Sequence, residues 1–165
     1  MDPTIKLHGN CGNQLSDPSK YRRLVGRLIY FTHTRPDIAY SLGHLSQFLA
    51  NPTDIHYQVA IRIVQYLKND PGRGLFFPSQ NEAKIKGYSD SDWGSCIDTR
   101  RSISGFCFFI GRSLISWKSK RQKTVYRSLL VEAEYRALAL AGCEARWLSF
   151  ILPDLQVNNV TPIMI

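Results

Sequence analysis

The spacing of the apolar residues changes twice along this chain, and those changes set what it can fold into. Up to Leu67 they recur at helical spacing; from Gly74 they fall in short β-branched and aromatic runs; after Val131 the helical period returns. Asp17-Pro18-Ser19 opens the first helix, with proline tolerated at the first helical position and Tyr21, Leu24, Val25, Leu28 and Ile29 on one face. Pro36 and Asp37 begin a second, with Ile38, Leu42, Leu45, Phe48 and Leu49 on its apolar face and Asn51-Pro52 as its stop. Thr53 caps a third, which carries Ile55, Val59, Ile63 and Leu67 and ends at "NDPGRG". The first sixteen residues are polar and irregular and are expected to be loose.

The runs "GLFF", "KIKGYSD", "SGFCFFIG" and "LISWKS" then read as strands separated by turn residues. A long helix follows, with Tyr135, Leu138, Ala139, Gly142, Ala145, Leu148 and Leu152 on its expected buried face up to Pro153. "NNVTPIMI" reads as a loop and the opening of another strand. The class is therefore α+β or mixed α/β. A strand returning after a helix is expected to lie parallel to an earlier one, giving a mixed sheet with one crossover. The expected organisation is a loose N-terminus over 1–18, a helical region over 19–70 and a sheet with one long helix over 74–165. Nothing in the helical region looks catalytic.

The net charge is +8, and its location matters more than its size. Between Asp98 and Arg127 stand eight basic residues and one acid, whereas the rest of the chain is close to neutral. So dense an excess points to a polyanion surface. Arg100, Arg101, Lys118, Lys120, Arg121 and Lys123 are the candidate phosphate contacts, which give affinity without sequence choice. Trp93 and Trp117 could stack on bases, but large aromatics more often pack against a sheet. Tyr66, Tyr135, Phe106, Phe108 and Phe109 read as core. Cys11, Cys96, Cys107 and Cys143 lie far apart and read as free thiols of a reducing compartment, and the histidines lack zinc spacing. No apolar run approaches the roughly 20 residues that cross a bilayer, and the first residues lack a secretory pattern. An intracellular location is expected.

Phosphodiester hydrolysis needs an activated water and a stabilised leaving oxygen, which two magnesium ions about 4 Å apart can supply. Magnesium takes a few carboxylates and keeps waters for the rest. One carboxylate at a strand end facing another on the first turns of a helix makes such a site. Asp90 ends the strand "IKGYSD" and Glu134 lies early in "VEAEYRALA". Asp92 and Glu132 compete for the two roles. Strand alternation turns Asp90 and Asp92 to one face and does not separate them. On the helix, positions 132 and 134 differ by about 200°, and Glu134, one turn from Leu138, is favoured. Ser104 and Ser128 have no histidine downstream, which leaves a serine-hydrolase triad unsupported.

The segments "YRRLVGRLIYFTHTRPDIAY", "LSQFLANPTDIHYQVAIRIVQYLK", "GYSDSDWGSCIDTRRSISGFCFF", "ISWKSKRQ" and "EAEYRALA" together resemble the C-terminal part of copia-type LTR-retrotransposon Pol polyproteins. The resemblance implies that residues 19–70 match the helical region following the reverse transcriptase palm and that 74–165 match the start of the RNase H domain. It implies magnesium-dependent hydrolysis of the RNA strand of RNA–DNA hybrids, with Asp90 and Glu134 as the first two of four catalytic, metal-binding carboxylates. The implied partners are an RNA–DNA hybrid or other nucleic acid and the remainder of a Pol polyprotein.

Two departures temper this. The family's third carboxylate sits in a C-D-N motif on the strand after the long helix, where these 165 residues reach "TPIMI". Glu144 lies about 15 Å along the helix from Glu134, and Asp154 farther, so neither substitutes. "RSLLVEAEY" also replaces a serine-rich stretch and is one residue longer. Little or no hydrolysis is therefore expected of this chain, the alternative being a non-catalytic nucleic-acid-binding remnant. An incomplete sheet edge is also expected to cost stability.

Overall fold

Asp17 and Thr53 start their helices as their side chains require. In this computed structural model, which describes residues 7–82, 84–123, 130–157, 163 and 165, the chain divides into two compact units, Met1–Gly74 and Leu75–Ile165.

In the first unit, α1 spans Pro18–Phe31, and the Asp17 carboxylate accepts from the Ser19 N–H at 3.0 Å. The expected second helix is shorter and broken: α2 spans Ala39–Leu45 between one-turn 3-10 segments, Pro36–Ile38 and Ser46–Phe48. The Ser46 hydroxyl donates to the Gly43 carbonyl at 2.9 Å, the kind of local bond with which serine competes against helix continuation. α3, Asp54–Asn69, begins with a reciprocal cap in which Thr53 accepts from the His56 N–H and its own N–H donates to His56 Nδ1 at 3.1 Å. Tyr21, Val25, Leu28, Leu42, Leu45, Val59 and Ile63 form the core between these helices.

Part of the N-terminal stretch expected to be loose is held against the start of α3. The Leu15 N–H donates to the Pro52 carbonyl at 3.1 Å, and the Asp54 N–H to the Asn13 carbonyl at 2.9 Å. Gly12 makes this approach possible: its φ is +77°, and a Cβ there would collide with Asp54 and Ile55.

In the second unit, β1 (Ile85–Asp92), β2 (Ile103–Ile110) and β3 (Ser113–Arg121) form an antiparallel sheet in the order β1-β2-β3. A two-residue turn joins β2 to β3, with Gly111 at φ +56°, the geometry such a hairpin asks of its first turn residue. The long helix, α4, spans Leu130–Asp154 and packs on β1 and β2. The α+β class therefore holds. The sheet is antiparallel throughout among the described residues, and the parallel strand expected in "TPIMI" lies largely outside them. "GLFF" is not a strand: Phe76 and Phe77 are 71% and 62% exposed, and no described strand pairs with them.

The buried stripe of α4 also differs from expectation. Ala133, Ala137, Ala141, Ala145, Leu148 and Leu152 are buried, whereas Tyr135 is 67% exposed. The reason is volume. Phe106 and Phe108 project from the sheet and fill the layer under the middle of α4, where Ala141 and Ala145 leave room for the rings.

Candidate functional site

Register decides which side chains meet. Ser89 of β1 lies opposite Phe106 and Ser91 opposite Ser104, on the face that α4 covers; Asp90 and Asp92, opposite Gly105 and Ile103, belong to the other face. Asp90, between Ser89 and Ser91, nonetheless lines a cleft shared with the start of α4. This cleft of about 420 Å³ runs between β1 and the first turns of α4. Its walls are Ser89, Asp90, Ser91, Val131, Glu134, Tyr135, Ala137 and Leu138.

The two acidic residues singled out in the sequence thus both border one cleft, and the competing Asp92 and Glu132 are not among its walls. Leu138, expected to be buried, is instead 48% exposed at its rim. Glu134 and Leu138 still share a side of α4, at the edge of the alanine stripe rather than on it. Two carboxylates give hard oxygen donors and leave most positions to water, a donor set that suits magnesium. Among the described residues no cluster of three or more histidine, cysteine, aspartate or glutamate side chains could hold a metal ion. Glu144 points elsewhere, accepting from the Ser116 hydroxyl at 2.6 Å.

The basic residues do not form one surface. Lys118 and Lys120 lie opposite Phe106 and Ser104, on the α4 side of the sheet, whereas Arg121 lies opposite Ile103, on the face of Asp90 and Asp92. Arg100 sits in the turn before β2 with φ at +53°, and its N–H donates to the Cys96 carbonyl at 2.7 Å. Arg101 and Arg121 are half-buried, each with an Nε that has no hydrogen-bond partner. Lys123 is exposed just beyond β3, and Arg127 lies outside the described residues. Trp93 is 47% exposed rather than packed. No disulfide joins the four cysteines, and burial pushes the Cys107 thiol up from its ordinary value.

Sequence reasoning missed the polar floor beneath the start of α4. Ser89 Oγ, Ser91 Oγ and Gln122 Oε1 are buried without hydrogen-bond partners. Gln122 Nε2 donates to Ser104 Oγ at 2.9 Å and to the Ala133 carbonyl at 3.0 Å. The available signal was the pair of serines flanking Asp90, where a strand under a helix ordinarily carries apolar residues.

Comparison with known proteins bears on this geometry. The chain is 41% identical over 162 residues to the retrovirus-related Pol polyprotein from transposon RE1 of Arabidopsis thaliana, a match that covers 98% of this chain and 11% of that polyprotein. It is 40% identical over 149 residues to the retrovirus-related Pol polyprotein from transposon TNT 1-94 of Nicotiana tabacum, covering 90% of this chain and 11% of that one. Secreted RxLR effector protein 161 of Plasmopara viticola is 42% identical over 130 residues, covering 78% of this chain and 91% of the effector. The chain spans about a tenth of the length of the transposon polyproteins it matches. No family model matches it, and no solved structure does. No helix among the described residues is long and apolar enough to cross a membrane.

Proposed function

The chain belongs to the copia-type, retrovirus-related Pol polyproteins of transposons, and from that premise we propose that residues 75–165 are an RNase H-like unit that acts on RNA–DNA hybrids through magnesium held by Asp90 and Glu134. The observation that supports this is that those two residues, one from a strand and one from a helix, line a single cleft. Bound magnesium would supply an activated water and neutralise charge on the scissile phosphate. The two side chains would hold the hydrated cation, and Lys118 and Lys120, the basic residues on the α4 face, would hold phosphates of the duplex. A longer Pol polyprotein is the proposed setting.

These 165 residues supply two of the four carboxylates that the resemblance implies. With Glu144 bonded to Ser116, no later acid joins the pair within the described residues. The purified chain is therefore expected to bind a divalent cation weakly and to cleave a labelled hybrid at trace level at most. Manganese affinity followed by electron paramagnetic resonance should fall sharply, to a weaker but measurable value, in Asp90→Asn and in Glu134→Gln. Affinity unchanged in both variants would overturn the carboxylate site. Strong cleavage abolished by Asp90→Asn would show that two carboxylates suffice. The dense basic segment favours a second reading, a non-catalytic nucleic-acid binder, and salt-sensitive hybrid binding without metal binding would select it.

A further inference from the structure

Apolar contact anchors the C-terminal half of α4. Ala141, Ala145, Leu148 and Leu152 belong to one cluster with Ile85, Phe106 and Phe108. Beneath the first turns, the sheet offers Ser89, Ser91, Ser104 and Gln122 instead, and the helix meets them with Ala133 and Ala137. Apolar burial is roughly proportional to area and carries no direction. Two methyl groups over a hydroxyl floor therefore hold this end of the helix neither strongly nor at one position, and the three unpartnered atoms of that floor add no adhesion.

A directional link is present. Gln122, just past β3, is 9% exposed and commits both amide protons, one to Ser104 Oγ and one to the Ala133 carbonyl. The carbonyl accepts only from a donor, which fixes the orientation of the amide. Ala133 is the residue before Glu134. Resting on the carboxylate-site reading above, we propose that Gln122 is a positioning residue for Glu134: it pins the first turn of α4 to the end of β3 and so holds Glu134 across the cleft from Asp90.

The test compares the full chain with Gln122→Met, which keeps length and volume but cannot donate, in the wild-type and Glu134→Gln backgrounds. Gln122→Asn, whose amide stops one methylene short of Ala133, is the milder variant should the methionine chain fail to fold. Manganese affinity should fall at least about tenfold, as for other residues that orient a metal ligand. Hydrogen exchange should quicken over residues 131–138 and not over 141–152. In the Glu134→Gln background Gln122→Met should cause no further loss of affinity. Unchanged affinity beside intact wild-type binding, or an equal loss in both backgrounds, overturns the positioning role alone. Absence of any Asp90-dependent binding in the wild type overturns the carboxylate site, and the exchange measurement then still decides the pin: unchanged exchange over 131–138 overturns it.

Discussion

Arg35 is 4% exposed, and a guanidinium that deep must have its donors occupied. Its Nε and Nη2 donate to the two oxygens of Asp37 at 3.1 and 2.9 Å, and Nη1 donates to the Asp70 carbonyl, past the end of α3, at 3.0 Å. Tyr66 completes the cluster: its hydroxyl donates to Asp37 at 2.7 Å, and Arg35 lies 5.5 Å from the centre of its ring. That is why Tyr66, expected in the core, is 44% exposed. The Arg35 guanidinium, and secondarily the Tyr66 hydroxyl, hold the Asp37 carboxyl below the usual carboxylate range against the opposing effect of burial. A carboxyl depressed in the folded state contributes stability above its unfolded value of about 4, and that contribution is lost as pH falls through the folded value. Urea unfolding of the wild type should therefore show stability falling below about pH 4, with a smaller fall in Asp37→Asn. Parallel profiles would show that the pair contributes nothing to acid sensitivity.

At the scale of elements, packing between strand and helix is set by volume. Gly87 of β1 lies against the Phe108 ring, and a Cβ there would collide with it. Phe108 is fully buried, so the ring has nowhere to retreat. Gly87→Ala should then cost about 1 to 3 kcal/mol, the usual range for overpacking a core, measured by chemical denaturation. A change under about 0.5 kcal/mol would mean that the ring shifts freely. The same volume argument explains α4. Helical period alone placed Tyr135 and Leu138 inside, because it counts apolar residues without knowing how much room the facing sheet leaves. Phe106 and Phe108 take up that room against Ala141 and Ala145, and the same alanine stripe continues through Ala137 and Ala133 at the start of the helix.

At the scale of the molecule, the charge excess reads in the sequence as one basic segment, and the antiparallel sheet divides it between two faces. Lys118 and Lys120 go with α4, and Arg121 goes with Asp90. If the duplex lies on the α4 face, joint reversal of Lys118 and Lys120 to glutamate should lower the magnitude of the log–log salt slope of hybrid binding by about two units, near 0.9 for each phosphate no longer neutralised. An unchanged slope would assign those lysines to a solvated face.

The sequence by itself determined what depends on near neighbours along the chain. The caps at Asp17 and Thr53, the change of period at Gly74 and the class of the fold are all local, since a capping oxygen reaches two or three residues and alternation needs only one strand. For the candidate site, local direction favoured Glu134 over Glu132 but left Asp90 and Asp92 level, and only the resemblance chose between those two. Only the tertiary structure decided which face of α4 is buried, how the basic residues divide and that Gln122 reaches Ala133. Each of these depends on strand register or on the volume of a facing element, and both arise between segments that no local spacing relates.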